Sequence, residues 1–473
     1  MDTSQRAEVM ALESIDHSRH QLHLRFRVDA LRFTTTYWYG DVDLHGLRRR
    51  FGDAFMDKVL FHIAAFEANK LASLEPHTFD LGPYAKHHTE AFEELWRTIF
   101  RKVWAQWRYE NDRPDYTGPV FASTAVADSV DAVESPQTAE SAEVLAFCGG
   151  GKDSLVALGL LEGAGIPYAS YAYSSSIYGR ADEQHTLIDR LVDHCAPVRH
   201  HRQWIYEDFM DSPVLQLGDT APRTLTAAET PASMFGALPV LLEHGYRHMA
   251  LAHEASANTG NLIWNATGED VNHQWGKSLE AERLLDGYLR RELLADGRYF
   301  SLLQPIFDPV IFFLLNRHPE AVRATHSCNV AKPWCEQCAK CAYVYMGYMA
   351  YLPTEVVAGM FQHRLFERPE TQEDYRMMIG ATDHTPFECI GQVDESRLAL
   401  ELCRRKGLEG AALDTYAAHV SSLDVGSILE RHFQVDTGLD TLPPSIATGV
   451  IPQMESAARG ARDHVERLLS RNP

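Results

Sequence analysis

The chain has 473 residues, a formal net charge of -21 and 45% hydrophobic residues. This length exceeds one typical hydrophobic core, so we expect two or three packed units. The acidic balance argues against a nucleic-acid partner, because affinity for nucleic acid rests mainly on lysines and arginines that neutralise phosphates. The sequence has no apolar run of bilayer length and no signal-peptide core at its start, which predicts a cytoplasmic protein without a membrane partner.

The first 117 residues combine predicted strands with predicted helices. Residues 21–28 alternate polar and apolar side chains, as a half-buried strand does, and residues 31–39 predict a second strand. Apolar side chains at helical spacing predict helices over 51–71 and 90–109. We therefore expect an α+β N-terminal domain over residues 1–117. The small, polar and acidic residues 118–141 that follow predict a linker or mobile loop.

Strands and helices alternate from residue 144 onward. The predicted strands are 144–148, 168–173, 197–201 and 247–252, and the predicted helices between them are 155–161, 182–194 and 239–244. This alternation predicts an α/β fold with a doubly wound parallel sheet and right-handed crossovers. We expect this domain over residues 142–325 and a helical C-terminal region over residues 346–473.

A glycine-rich turn, residues 149–154 (GGGKDS), connects the first of these strands to the first helix. Its spacing fits neither the Walker phosphate loop nor the dinucleotide pattern GxGxxG. Adjacent glycines let successive N–H groups face an anion, and the helix N-terminus adds a partial positive charge. We therefore predict a phosphate-binding loop, with a hydroxyl donor from Ser154 and an extra charge from Lys152. Its residues are Gly149, Gly150, Gly151, Lys152, Asp153 and Ser154.

The GGGKDS turn resembles the SGGxDS signature of the PP-loop ATP pyrophosphatases, with Gly149 in place of the leading serine. The resemblance implies that the chain binds ATP with Mg²⁺ and transfers AMP to a substrate oxygen. The family usually holds adenosine at the end of the second strand, which makes Tyr173 and Ser174 candidate ATP-binding residues. His253 and Glu254, at the end of the fourth strand, face the same crevice and are candidate catalytic residues.

Four cysteines crowd into residues 326–345. A closed tetrahedral zinc site suits four thiolates at this spacing, an iron–sulfur cluster is a rival, and four unligated thiols are the third alternative. A similar cysteine-rich segment follows the PP-loop core in 7-cyano-7-deazaguanine synthases, where it binds structural zinc. We therefore favour a structural zinc ion, with His326 as a weaker alternative ligand. The predicted ligands are Cys328, Cys335, Cys338 and Cys341.

Further stretches resemble one PP-loop family, the UDP-N-acetylmuramoyl-L-alanyl-L-glutamate epimerases of bacterial peptidoglycan synthesis. They are residues 148–158 (CGGGKDSLVAL), 261–282, 327–345 (SCNVAKPWCEQCAKCAYVY) and 385–400. The resemblance implies a small UDP-sugar-peptide substrate whose terminal L-Glu is converted to D-Glu. The acyl-adenylate route that it implies consumes ATP and releases AMP and pyrophosphate.

Two polar stretches supply candidate residues for this chemistry. In residues 272–278, Lys277 is a candidate for binding an anionic group and His273 for moving a proton near neutral pH. Cys389, in residues 385–391, is a candidate thiol base. A small buried hydrophobic role for Cys389 is the alternative.

Two other functions stay open at this point. One is a different PP-loop enzyme that adenylates and then amidates, thiolates or ligates a nucleobase or carboxylate, as a 7-cyano-7-deazaguanine synthase does. The other is a non-catalytic ATP-binding regulator. The sequence does not predict the oligomeric state.

Overall fold

The computed structural model describes residues 6–126, 130–136, 142–214 and 228–470. Its strands are β1 (Val9–His17), β2 (Gln21–Val28), β3 (Leu31–Tyr39), β4 (Thr78–Asp80), β5 (Val120–Phe121), β6 (Val144–Phe147), β7 (Tyr168–Tyr173), β8 (Arg199–Glu207), β9 (His248–Leu251), β10 (Leu262–Ile263), β11 (Asp270–Val271) and β12 (Arg298–Ser301).

The helices are spread over the whole described chain. They are α1 (Leu44–Phe51), α2 (Asp53–Glu67), α3 (Glu90–Val103), α4 (Ala105–Glu110), α5 (Lys152–Gly163), α6 (Ala181–Val192), α7 (Glu229–His244), α8 (Leu279–Glu292), α9 (Asp308–Leu314), α10 (Pro319–Val322), α11 (Ala339–Tyr351), α12 (Thr354–Val357), α13 (Gln372–Met378), α14 (Val393–Arg405), α15 (Ala411–His419), α16 (Val425–His432) and α17 (Pro444–Leu469). Within the described ranges, none of these helices combines the length and the apolar character that crossing a bilayer requires.

Ten strands form one sheet in the order β12-β9-β6-β7-β8-β3-β2-β1-β4-β5. Strands β12, β9, β6, β7 and β8 are parallel to one another. Strand β3 pairs antiparallel with β8, and β1 to β3 form an antiparallel meander. The predicted α/β fold class, with its parallel sheet and helical C-terminal region, is confirmed. The β3–β8 pairing also extends that sheet into the N-terminal region.

Two hydrophobic cores cover the two faces of the sheet. Side chains of β6 alternate between them, because successive residues of a strand point to opposite faces. Val144 and Ala146 belong to the core formed with α5, α9, α11, α14 and α17, whereas Leu145 and Phe147 belong to the core formed with α2, α3, α7 and α8. The N-terminal helices α2 and α3 therefore pack on one face of the sheet, and the C-terminal helices pack on the other.

The predicted linker differs from the structure in part. Val120 and Phe121 form the edge strand β5, and Phe121 is buried. Further along, Ser135 donates hydrogen bonds to Asp296. A two-residue strand is too short to produce a periodic signal, so the small polar composition hid it. Residues 127–129 and 137–141 of the predicted loop lie outside the described residues.

Some element boundaries also differ from the predictions. Helix α7 begins at Glu229, ten residues before the predicted start, although it contains Pro239. Strand β12 was not predicted, because four residues flanked by loops give too short a pattern. The division into domains stays a prediction, since both the sheet and the cores continue across its boundaries.

Candidate active site

The carboxyl ends of the parallel strands open into a cavity of about 470 Å³. Its wall contains Cys148 after β6, Tyr173 at the end of β7 and Ala252 after β9. Helix α4 adds Gln106 and Glu110 from the N-terminal region, and residues 273–277 and 387–389 close other parts of the wall. The cavity lies where parallel α/β sheets bind ligands, and three regions of the chain build it.

The glycine-rich turn forms one side of this cavity. Gly150 has φ +82°, and a Cβ atom there would lie 2.0 Å from Cε1 of His326. Only glycine therefore fits this position. The N–H of Gly149 donates to the hydroxyl of Ser154 at 3.1 Å, and Gly151 is the N-cap of α5. Because a glycine cap has no side chain, the N-terminus of α5 stays accessible to an anion from the cavity.

Lys152 does not line the cavity, although the sequence suggested it as a phosphate-binding charge. Its side chain is 1% exposed, and Nζ lies 2.5 Å from carboxylate oxygens of both Asp153 and Asp308. Nζ also lies 4.9 Å from the ring centre of Phe312. Burial opposes its charge, but the two carboxylates outweigh burial and raise the pKa of Lys152. Lys152 therefore stays charged and orients Asp153, which does line the cavity.

The predicted adenosine residues have separate positions. Tyr173 lines the cavity, whereas the hydroxyl of buried Ser174 accepts a hydrogen bond from the N–H of Ile205 at 2.9 Å. Ser175 lines the cavity instead and donates to Oε2 of Glu229 at 3.2 Å. Burial raises the pKa of Glu229 to about 7. The strand alternation that continues past β7 explains why residues 173 and 175 share a side.

The two candidates after β9 also differ in their surroundings. His253 lines the cavity, and burial lowers its pKa to about 3, which keeps the imidazole neutral at physiological pH. Glu254 is 4% exposed and lies behind the wall. Burial, together with the charges of Asp153 and Asp308, raises the pKa of Glu254 to about 7. Glu254 therefore belongs to the carboxylate group around Lys152.

Cys389, His273 and Lys277 lie together in the cavity wall, close enough for their charges to act on one another. Burial opposes ionisation of the thiol, but Lys277, His273 and Lys340 together lower the pKa of Cys389 to about 6. Cys389 is therefore a thiolate at neutral pH, the form that acts as a base or nucleophile.

The charges on the cations of this cluster depend on the thiolate. Burial alone would lower the pKa of His273, but Cys389 and Glu388 outweigh burial and raise it. In the same way, burial opposes the charge on Lys277, whereas Cys389 and Glu254 raise its pKa. The sequence predicted the three residues separately, and the structure brings them together.

Amide side chains tie the two segments of this cluster to each other. Asn261 accepts from the N–H of His273 at 2.9 Å and donates to the carbonyl of Pro386 at 2.8 Å. Gln274 donates to the carbonyl of Ile390 at 2.8 Å. These bonds hold the loop after β11 against the segment that carries Cys389.

The four predicted metal ligands also meet. All four Sγ atoms lie within 4.8 Å of one another, with Cys328 and Cys338 3.8 Å apart and Cys335 and Cys341 3.9 Å apart. A tetrahedron of Zn–S bonds about 2.3 Å long has edges of about 3.8 Å. A four-iron cluster binds each thiolate to a different iron and needs wider spacing. The cysteines therefore fit a single tetrahedral ion, and the ring of His326 lies beside Gly150 instead.

Two regions of the chain match known family models. Residues 232–302 match the MurL N-terminal domain, and residues 321–420 match the MurL C-terminal domain. The chain is related to the MurL family. The first MurL match spans His253, Glu254, His273 and Lys277, and the second spans the four cysteines and Cys389.

Three curated relatives carry the name UDP-N-acetyl-alpha-D-muramoyl-L-alanyl-L-glutamate epimerase. The relative from Micromonospora sp. is 28% identical over 324 residues, which cover 66% of this chain and 68% of that protein. The Salinispora tropica relative is 29% identical over 54% of this chain and 55% of its own length. The relative from Xanthomonas oryzae pv. oryzae is 25% identical over 69% of this chain and 70% of its own length. The predicted resemblance to this MurL group is confirmed.

Several cavity residues were not predicted from the sequence. Lys340 donates a hydrogen bond to the carbonyl of Cys389, and Asn329 donates to Oε2 of Glu388 at 2.8 Å. Lys340 lies between two predicted metal ligands, and that position was a usable signal. Gln106 lies on a helix among large apolar residues, where no local pattern distinguishes it from a structural side chain.

Proposed function

We propose that this protein is an ATP-dependent epimerase that converts the terminal L-Glu of UDP-N-acetylmuramoyl-L-Ala-L-Glu to D-Glu for peptidoglycan synthesis. The observation that carries the proposal is the cluster of Cys389, His273 and Lys277 in the same cavity as the glycine-rich turn. A proton-transfer group and an anion-binding loop are the two parts that activation followed by inversion requires. The curated relatives are named for this reaction.

The first step activates the carboxylate next to the carbon that is inverted. A carboxylate oxygen attacks the α-phosphorus of ATP, the bond between the α- and β-phosphates breaks, and pyrophosphate leaves. The turn from Gly149 to Ser154 and the N-terminus of α5 would bind the departing phosphates. Mg²⁺ would offset their charge, and Asp153 is the carboxylate of the cavity wall that we expect to hold it.

Adenylation changes the acidity of the α-carbon. A free carboxylate places negative charge beside an incipient carbanion, whereas the acyl phosphate formed by adenylation can accept that charge. The thiolate of Cys389 then removes the α-proton, and Lys277 lies beside it as a fixed positive charge. Protonation from the opposite face inverts the centre, and water cleaves the acyl–phosphate bond to release AMP.

The four-cysteine cluster is proposed to hold a structural zinc ion. Its segment carries Asn329, Lys332 and Lys340, which all line the cavity. An ion bound there would keep this part of the wall in place and would not take part in the reaction. We further propose that the protein acts in the cytoplasm on this small molecule, without a nucleic-acid or membrane partner.

A product assay tests the proposed reaction. The purified protein is incubated with ATP and UDP-N-acetylmuramoyl-L-Ala-L-Glu, and glutamate released by acid hydrolysis is analysed on a chiral column. We expect D-Glu together with pyrophosphate and AMP. An amide or thio product from another acceptor would favour the alternative PP-loop reaction. ATP binding without pyrophosphate release from any acceptor would favour a regulator.

A matched pair of variants assigns the product to this site. Cys389→Ser should lose D-Glu formation. Cys195→Ser should retain it, because Cys195 follows the end of α6, does not line the cavity and donates its thiol hydrogen to the carbonyl of Leu191 at 3.6 Å.

A further inference from the structure

Two polar residues of the N-terminal region extend the Cys389 cluster. Gln106 and Glu110 lie on α4 and line the cavity, and Gln106 is only 5% exposed. Oε1 of Gln106 lies 2.6 Å from Nδ1 of His273. Nε2 of the same amide lies 2.8 Å from Oε1 of Glu110. Two hydrogen bonds therefore connect Glu110 through Gln106 to His273, and His273 shares the cavity wall with Cys389, on whose charge it acts.

The chemistry of these groups fixes the direction of each hydrogen bond. An ionised carboxylate only accepts, so the amide NH₂ of Gln106 has to face Glu110. The amide oxygen then faces His273, and because this oxygen only accepts, Nδ1 of His273 has to carry a hydrogen. Nε2 is the ring nitrogen left to interact with the sulfur of Cys389.

We infer that Gln106, oriented by Glu110, is a positioning residue that fixes the tautomer of His273 and keeps Nε2 available for the proton of Cys389. This inference rests on the proposed function for its catalytic meaning. When Nε2 takes the thiol proton, the Nδ1–H of the resulting imidazolium still donates to Gln106, and this charge-assisted bond is stronger than the neutral one. The N-terminal region thereby contributes to proton transfer in a cavity that the central and C-terminal regions otherwise build.

Other charged groups near Cys389 set the size of the expected effect. Lys277 and Lys340 stabilise the thiolate independently of His273, the charge of Glu388 acts on His273, and Tyr178 lies close enough to the thiol for the two groups to interact. Removing Gln106 leaves these four groups in place. Loss of the amide should therefore weaken thiolate formation without abolishing it.

The first test measures how fast iodoacetamide alkylates Cys389 in the full-length protein over a range of pH. Cys389→Ser supplies the background from the other cysteines. Gln106→Met keeps the volume of the side chain but removes the acceptor, and it should move the alkylation midpoint upward by about one pH unit. Gln106→Glu keeps an acceptor at Nδ1, and it should hold the midpoint at or below that of the unchanged protein.

Two results would overturn the inference. One is a Gln106→Met midpoint equal to that of the unchanged protein. The other is the same upward shift in Gln106→Glu, which would indicate a packing effect. Glu110→Gln offers a variant at an exposed position in case Gln106→Met does not fold. The new amide at position 110 can donate to the amide oxygen of Gln106 and so reverse the orientation of the Gln106 side chain. We therefore expect a smaller upward shift of the alkylation midpoint than in Gln106→Met. An unchanged midpoint would contradict the inference.

The second test observes the tautomer directly. ¹⁵N-histidine NMR in a Cys389→Ser background, with His273→Gln to assign the signal, reports which ring nitrogen carries hydrogen when the imidazole is neutral. We expect hydrogen on Nδ1, and a shift toward Nε2 when Gln106→Met is added. Hydrogen on Nε2 of His273 in the protein that retains Gln106 would contradict the inference.

Both measurements are independent of the substrate. If the protein produces no D-Glu but the alkylation midpoint and the tautomer behave as expected, the positioning role stands and the proposed reaction fails. If D-Glu forms and both readouts are unmoved by Gln106→Met, the reaction stands and the positioning role fails.

Discussion

The proposed base, Cys389, can accept a proton only in its thiolate form, so activity should depend on the charges around it. Its pKa of about 6 predicts that kcat/KM rises as pH increases through about 6 and falls as the thiol is protonated below that value. After burial, the charge of Lys277 has the largest influence on the pKa of Cys389, and this charge lowers that pKa. Lys277→Met should therefore move the acid limb of the pH profile to higher pH.

A matched surface variant controls for the loss of a lysine. Lys102 forms an exposed ion pair with Glu280, and Lys102→Met should leave the acid limb in place. The measurement is kcat/KM for epimerisation between pH 5 and pH 9. An acid limb that does not move in Lys277→Met would exclude the thiolate of Cys389 as the group that titrates there.

Residue types and spacing located most of the candidate residues but not their side-chain directions. His273, Lys277 and Cys389 were chosen from two segments far apart in the chain, and nothing local predicts that they meet. Lys152 lies within the phosphate-loop motif, yet the first turn of α5 directs it toward Asp308. Such directions follow from tertiary packing, which a local pattern does not encode.

At the scale of the elements, the glycine-rich turn has a backbone conformation that requires glycine at position 150. Gly150→Ala adds a Cβ where φ is +82° and where the ring of buried His326 already lies. Gly165→Ala is the matched control, since its φ is +67° but nothing lies within 4 Å of the added atom. Both variants carry the backbone strain, so we expect Gly150→Ala to lose about 1–3 kcal/mol more stability than Gly165→Ala.

Urea unfolding of the two variants measures that difference. Adding His326→Ala to Gly150→Ala should recover part of the loss, because it removes the ring that the new Cβ meets. Equal stability of Gly150→Ala and Gly165→Ala would show that the His326 contact does not constrain the turn.

The segment that carries the four predicted metal ligands gives a second testable prediction. We predict one zinc ion per chain, and we predict that Cys335→Ser lowers both the metal content and the stability, by about 3 kcal/mol or more. Elemental analysis and urea unfolding measure the two quantities, with Cys195→Ser as the control for the loss of a thiol. Iron with inorganic sulfide, or full stability in a metal-free Cys335→Ser protein, would refute this prediction.

The sequence patterns predicted only some of the strands: the nine-residue β1 was not predicted, and the predicted strand 197–201 overlaps β8 only at its start. Strands β2, β3 and β7 agree with their predicted bounds, because alternation or a continuous apolar run extends over at least six residues in each. Strands β5 and β12 have two and four residues, and their positions depend on pairing with β4 and β9. Pairing of that kind is set by contacts distant in the chain.

For the whole molecule, the pairing of β3 with β8 has the largest consequence. It joins residues 35–39 to residues 203–207, so the predicted N-terminal domain and the predicted α/β domain share one sheet. Tyr39 also donates a hydrogen bond to the carbonyl of Gly236 in α7 at 3.0 Å. The sequence predicted the class of the central sheet but not its continuation into the N-terminal region. That continuation depends on the pairing register of two strands that are far apart in the chain.

The shared sheet predicts cooperative unfolding of these two regions. Four of the eight tryptophans lie in the first 117 residues, so fluorescence reports strongly on that region, whereas far-UV circular dichroism follows the whole chain. We expect the two signals to change at the same urea concentration. A fluorescence transition at clearly lower urea would mean that the N-terminal region unfolds independently.

The most direct test of the central proposal is the fate of the α-proton in D₂O. If adenylation acidifies the α-carbon and Cys389 removes its proton, D-Glu formed with ATP should carry deuterium at that carbon. Substrate incubated without nucleotide should carry none. Cys389→Ser should still release pyrophosphate but incorporate deuterium about 10²–10⁴-fold more slowly. Deuterium exchange that proceeds without ATP, or at an unchanged rate in Cys389→Ser, would contradict the account.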